Sequence, residues 1–177
     1  MARFAPLCRA GVSEAPAGNH PGSGQTQPAS LRRAGPADVA ALAAIDGMVN
    51  ASPWRPGQFE AACDSSPGTR ESALVAQHNA QVCGFIVFSQ VLDEGCIHNL
   101  AIHPLWQRVG LARALVGAAL DTMQRDGAGR CLLEVRESNA AARGLYEALG
   151  FALDGRRKNY YPAANEREDA LLMSIKL

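Results

Sequence analysis

Gln107-Arg108-Val109-Gly110-Leu111-Ala112-Arg113 decides the fold, because it joins a run that reads as strand to a run that reads as helix through a loop of little side-chain bulk. Before it, Cys96-Ile97-His98-Asn99-Leu100-Ala101-Ile102 has the composition of a mostly buried strand. His103-Pro104 ends that strand, since the residue before a proline is held extended. After the loop, Leu111, Leu115, Ala118, Ala119, Thr122 and Met123 recur at helical spacing, one core-facing stripe that runs as far as Gly127. The first-turn N–H groups of such a helix have no internal partner, and the macrodipole adds partial positive charge there, so a phosphate ester is a natural guest. Gly110 lets a ligand come close to the backbone, and Ala112 is the next smallest residue where a second glycine could stand. A junction with one glycine is, on its own, more often a plain connection than an anion site. No Gly-Lys-Ser or Gly-Lys-Thr follows, which excludes a Walker loop, and the first glycine of the dinucleotide fingerprint is missing.

A second constellation follows. Cys131-Leu132-Leu133-Glu134-Val135-Arg136 reads as a strand broken by one carboxylate, and an ionised Glu among aliphatic residues is costly unless paired. Arg136, two positions on and on the same face, is the obvious partner. A helix is predicted from Ala140 to Leu149, capped by Ser138 or Asn139 and stopped by Gly150. Tyr146 lies seven residues beyond Asn139, close to two turns, so both side chains fall on one face and could line a cleft. For Tyr146 the plain alternative is an aromatic that covers the core.

Three stretches in this order resemble the GCN5-related N-acetyltransferases: Gln-Arg-Val-Gly-Leu-Ala after a strand ending Ala-Ile-His-Pro, then Leu-Glu-Val-Arg-Glu-Ser-Asn-Ala-Ala-Ala, then Leu-Tyr-Glu-Ala-Leu-Gly-Phe. The resemblance spans residues 31–177. Within that superfamily the chain is most similar to the bacterial ribosomal-protein alanine N-acetyltransferases of RimI type, through Arg156-Arg157-Lys158-Asn159-Tyr160-Tyr161-Pro162 and Arg167-Glu168-Asp169-Ala170. Ala112 stands where glycine is more usual, and Lys158 looks inserted into a run that usually reads Arg-Arg-Asn-Tyr-Tyr. The resemblance implies an α/β acyltransferase fold, a mixed and mostly antiparallel sheet with helices on both faces. It implies acetyl-CoA as cosubstrate and no metal.

The same resemblance assigns roles. Glu134 is the general base, acting through water, and Tyr146 the general acid for the departing thiolate. The backbone of Arg108, Val109, Gly110, Leu111, Ala112 and Arg113 holds the pyrophosphate, and Leu100, Ala101 and Ile102 offer backbone groups to the pantetheine arm as a partial strand addition. Asn139 hydrogen-bonds that arm, which requires the strand carrying Glu134 to splay from its neighbour. Tyr160 and Tyr161 alternate faces, one packing while the other covers the acceptor. His98 is an alternative base, although a lone histidine on a buried strand is more often a satisfied core residue. Cys131 opens a buried strand without a basic partner, which disfavours it as an acyl-carrying nucleophile. The implied acceptor is a protein N-terminus, that of a ribosomal protein. A small-amine or lysine acetyltransferase, and an idle acetyl-CoA-sensing module, are the alternatives, because fold does not settle the acceptor.

Composition sets the outer limits. A chain of 177 residues with 47% hydrophobic residues is enough for one soluble domain with a core. Lys plus Arg equals Asp plus Glu, 17 each, so nothing in the overall balance points to nucleic acid or an anionic membrane. Five cysteines without Cys-x-x-Cys spacing argue against a disulfide framework and a structural zinc and fit a cytoplasmic chain. Residues 1–30 lack apolar periodicity and are expected to form a disordered extension, with the acetyltransferase domain over residues 31–177. The rest reads as a strand at Leu31–Ala34, a helix from Pro36 to about Gly47, a turn at Ser52–Pro56, and a helix at Gly57–Cys63. Strands at Ala73–Ala76 and Val82–Phe88 are joined by a hairpin through His78-Asn79-Ala80, and a closing pair covers Phe151–Tyr161 and Ala170–Ile175.

Overall fold

The computed structural model describes residues 29–66, 68–162 and 167–177. The disordered extension expected over residues 1–30 falls, apart from its last two positions, outside the described residues. Among the described residues four helices and seven strands follow in chain order: β1 (Ser30–Arg33), α1 (Val39–Val49), α2 (Pro56–Cys63), β2 (Glu71–His78), β3 (Gln81–Val91), β4 (Glu94–Ile102), α3 (Leu111–Arg125), β5 (Arg130–Arg136), α4 (Ala140–Glu147), β6 (Ala152–Pro162) and β7 (Arg167–Lys176). Short 3-10 turns at Pro36–Asp38 and Pro104–Trp106 lead into α1 and the loop before α3. The strands form one sheet in the order β1-β2-β3-β4-β5-β7-β6. β4 and β5 run parallel and every other neighbouring pair is antiparallel.

The side-chain alternation of the central strands sets the two layers. On β3, Phe85 and Val87 point to α1 and α2, joining Leu42, Ile45, Phe59 and Ala62. Ile86 and Phe88 point to the other face, onto Leu115, Val116, Ala119 and Met123 of α3. β3 is thus buried on both faces, which is why its sequence is a continuous apolar run rather than an alternating one. The α3 stripe falls as the 3.6-residue period requires, with Ala118 and Thr122 at its margins. The β2–β3 turn places Asn79 and Ala80 at φ 45° and 64°, both left-handed, as a two-residue hairpin of type I′ demands.

The closing strands differ from simple sequence order. β7, not β6, pairs with β5, so β7 is inserted and β6 becomes the sheet edge. Register along β6–β7 slips between Arg157 and Tyr161, opposite Ala170 and Glu168, so extra residues bulge at Lys158–Tyr160. Asn159 adopts φ 53° there, its N–H donates to Asp169 Oδ1 (2.8 Å), and its carbonyl accepts from Arg167 Nε (2.6 Å). Lys158 lies at the start of this bulge.

Gly84 on β3 lies opposite Ile102, the last residue of β4. A Cβ at that position would sit 2.5 Å from Ile102 Cδ1 and 2.9 Å from the Ala101 carbonyl oxygen. The backbone oxygen cannot rotate away, so Gly84→Ala must push β4 off β3. We expect a loss of roughly 1–3 kcal/mol, the usual cost of overpacking, read as a lower urea midpoint. An unchanged midpoint would show that the end of β4 yields freely.

Candidate functional site

The site begins where β4 and β5 part. They pair only from Glu94 with Arg130 to Ile97 with Leu133. Beyond that, β4 remains bonded to β3 and β5 to β7, but not to each other. The break coincides with a bulge: Val87 pairs with Asn99 and Phe88 with Ile97, leaving His98 without an opposite residue. A bulge bends its strand and increases local twist, and here it turns the second half of β4 away from β5.

The opened seam is a cleft of about 250 Å³. Its lining includes Leu100 of β4, Glu134 and Arg136 of β5, Asn139 and Tyr146 at α4, Tyr161 of β6, and Asn50, Ser52 and Trp54 from the connection between α1 and α2. Leu100, Glu134, Asn139, Tyr146 and Tyr161 are therefore brought together. Tyr160 stands outside the lining, 41% exposed, with its ring edge-on to Tyr161 at 5.0 Å. Ala101 and Ile102 are buried. His103 N donates to Cys83 O (2.9 Å), and ladder alternation then turns the peptide groups of Ala101 toward β3 and those of Leu100 and Ile102 toward the open side. The Ile102 carbonyl is already taken by Gln107 Nε2 (3.1 Å).

At the far end of β4 the loop to α3 is strained. Arg108 and Gly110 adopt φ 66° and 89°, and a left-handed conformation at a non-glycine residue costs roughly 1–2 kcal/mol. Among the described residues, none of the amides from Arg108 to Arg113 donates to a protein acceptor; the first bond of the helix runs from Ala114 N to Gly110 O. Consecutive unpaired N–H groups around left-handed residues form an anion-binding concavity. The loop therefore presents what a phosphate needs, at the end of the opened seam.

The cleft's ionisable groups have distinct environments. Glu134 is not partnered by Arg136: it pairs with Arg157 Nη1 of β6 at 2.9 Å, its side chain 29% exposed. Arg136 instead ties the two walls of the cleft together. Its Nη2 donates to Ser52 Oγ (3.2 Å), its Nη1 to Pro162 O (3.1 Å) and Glu168 Oε2 (3.3 Å), and the guanidinium lies 4.4 Å over the Tyr161 ring. Asn139 Oδ1 caps α4 by accepting from Ala142 N (3.1 Å), leaving its Nδ2 for the cleft. Tyr146 packs edge-on against Phe151 and is 6% exposed. Burial first, then the neighbouring Cys131 and Tyr161, raises its phenol pKa above the ordinary value, so it stays protonated. Burial also pushes the Cys131 thiol up to about 12. His98 is at the surface, yet crowding around its ring lowers its pKa against the pull of Glu71, and its Nε2 is engaged with Ser89 Oγ at 2.7 Å. Among the described residues no group of three His, Cys, Asp or Glu side chains could hold a metal ion.

The α1–α2 wall was not apparent in the sequence, where Ser52–Pro56 reads only as a turn. One signal was available: Asp46 and Asn50 stand four apart, on one face of α1 and its end, and their side chains meet.

The acetyltransferase (GNAT) family model matches residues 40–151. A ribosomal protein bS18-alanine N-acetyltransferase of Escherichia coli K12 is 38% identical over 138 residues, covering 78% of this chain and 90% of that protein. Its Haemophilus influenzae counterpart is 36% identical over 141 residues, covering 79% and 93%. The crystal structure of the ribosomal-protein-S18-alanine N-acetyltransferase from Escherichia coli superimposes with a TM-score of 0.76 at 35% identity, over 83% of this chain and 92% of that one.

A thiol held up to about 12 by burial is neither a nucleophile nor a labelling site, because the thiolate is the reactive form. Native protein treated with iodoacetamide near pH 8 should leave Cys131 unmodified, and urea should release it, as read by peptide mass spectrometry. Alkylation of Cys131 in the native protein would contradict its placement in the core.

Proposed function

This chain belongs to the acetyltransferase (GNAT) family, and on that premise we propose that it acetylates the α-amino group of a protein N-terminus, the N-terminal alanine of a ribosomal protein, in the cytoplasm. The observation that carries the reading is the open seam between β4 and β5, with the unpaired amides of Arg108–Arg113 at one end and Glu134 and Tyr146 within it. Relatives at 36–38% identity are named for that acceptor in ribosomal protein bS18.

Acetyl-CoA supplies the thioester carbonyl as electrophile and a thiolate as leaving group. The backbone N–H groups of Arg108 to Arg113 receive its diphosphate. Leu100 lends its outward N–H and C=O to the arm and Ile102 its N–H, its carbonyl being held by Gln107; Ala101 holds that edge in line through β3, and Asn139 Nδ2 donates from the α4 side. Glu134 accepts a proton from the acceptor ammonium through water. The amine then forms the C–N bond as the C–S bond breaks, Tyr146 gives its proton to the sulfur, the new amide nitrogen sheds its extra proton to water, and exchange with solvent returns Glu134 to its carboxylate and Tyr146 to its phenol.

Proton energetics favour this assignment. Deprotonating an α-amine at about pH 7.5 costs roughly 0.7 kcal/mol, against roughly 4 for a lysine, so a modest base through water suffices for the first. Burial keeps the Tyr146 phenol protonated, so it holds the proton that the departing thiolate needs. Tyr161, which lines the cleft, covers the acceptor, and Tyr160 supports it edge-on from outside the lining.

Incubation with acetyl-CoA and peptides that begin Ala-Arg should give one acetyl group on the N-terminal nitrogen. N-terminally blocked lysine peptides and polyamines should be poor acceptors. Binding of acetyl-CoA without turnover on any acceptor would replace the reading with a sensor. Glu134→Gln should cost roughly 100-fold or more in kcat near neutral pH, the usual range for a general base, with the loss shrinking as solvent deprotonates the amine. Tyr146→Phe should lower kcat while sparing acetyl-CoA affinity. An unchanged pH–rate profile in Glu134→Gln removes it as base.

A further inference from the structure

The wall formed by the α1–α2 connection has a built interior. Asp46 is fully buried in α1, and all its hydrogen-bond partners are neutral: Oδ2 accepts from Trp54 N (2.6 Å), and Oδ1 accepts from Asn99 Nδ2 (3.1 Å) and from Asn50 Nδ2. Burying an anion on neutral donors alone is expensive. Asn50 Nδ2 also donates to Asn99 Oδ1 at 3.2 Å. A carboxylate accepts and does not donate, so Asp46 dictates which way both amides face.

The consequence falls on Asn50. An amide nitrogen has two N–H groups, and both are committed, one to Asp46 and one to Asn99. Its Oδ1 has no partner among the described residues. Asn50 is half-buried and lines the cleft, which Glu134 and Tyr146 also line from β5 and α4.

We infer that Asn50 Oδ1 is the anchor for the acceptor's α-nitrogen, receiving one of its N–H groups on the side of the cleft formed by the α1–α2 connection. The inference rests on the reading of the chain as an α-amine acetyltransferase. An ammonium, and the amine that follows from it, offers N–H groups only, and an oxygen fits that need where an NH₂ would not. The same bond persists through deprotonation, so it orients the nitrogen while Glu134 removes a different proton. Asp46 and Asn99 are positioning residues: they hold the Asn50 amide with its oxygen outward, and the Asp46 charge behind it favours an approaching cation. Asn50 exchanges no proton.

The test is steady-state kinetics on Ala-Arg peptides, with acetyl-CoA affinity measured by calorimetry and stability by thermal melting. Asn50→Ala should raise the peptide KM roughly ten-fold, the worth of one hydrogen bond, with kcat and acetyl-CoA Kd within about two-fold of wild type. The exchanged pair Asp46→Asn with Asn50→Asp, which returns a supported oxygen to position 50, should recover most of that loss. An unchanged peptide KM in Asn50→Ala overturns the inference. So does a variant in which peptide KM, kcat, acetyl-CoA Kd and Tm all worsen together, since the network would then only fasten α1 to β4. Absence of wild-type turnover on any peptide amine would instead remove the parent reading, and the anchor with it.

Discussion

Everything in this molecule that bears on chemistry depends on one break in a hydrogen-bond ladder. Two parallel strands leave the same end of the sheet as a pair and separate after Ile97 and Leu133. Buried backbone groups without partners are costly, so such an opening survives only where each strand is secured from outside. β3 holds β4 on both sides of the His98 bulge, and β7 holds β5 along its length. The inner edges are left to water or to a ligand that can complete them. The His98 bulge supplies the bend, and its side chain is fixed by Ser89 on the neighbouring strand.

The opened seam gathers its surroundings from distant parts of the chain. α3 follows β4 directly, so its unpaired first turn lies at the end of the strand that has been bent away. α4 follows β5, so Asn139 and Tyr146 stand on the opposite side of the gap. Arg136 spans the cleft between Ser52 and the β6–β7 hairpin, and Arg157 reaches from β6 to Glu134. An inserted β7 makes both contacts possible, because it places β6 beyond it as an edge strand that reaches the cleft through Tyr161. Burial at the cleft wall keeps the Tyr146 phenol protonated, as the role of acid proposed for it requires.

Local pattern told much of this story in advance. The α3 stripe, the Asn79-Ala80 hairpin, the cap at Asn139 and the stop at Gly150 are each settled by residues within a turn of one another, so the sequence announces them. The order of strands and helices and the acetyltransferase family were readable for the same reason. Periodicity tells which face of a strand is buried and not which strand lies beside it, so the insertion of β7 was not visible. Arg136 looked like the partner of Glu134 because it is two residues away on the same face, whereas Arg157 reaches Glu134 across β7. The α1–α2 wall is not legible from local pattern because its meaning lies in contacts with Asn99, some fifty positions later. A bulge leaves no sequence mark, and the seam depends on one.

Amide hydrogen exchange of the native protein, with and without saturating acetyl-CoA, addresses the seam most directly. The amides of Arg108 to Arg113 and of Leu100 should exchange freely in the free protein and become strongly protected with the cosubstrate, while Ala101 is protected in both. Slow exchange of the loop amides in the free protein, or no added protection at saturation, would mean that the ladder is closed and that the cleft is not where the thioester binds.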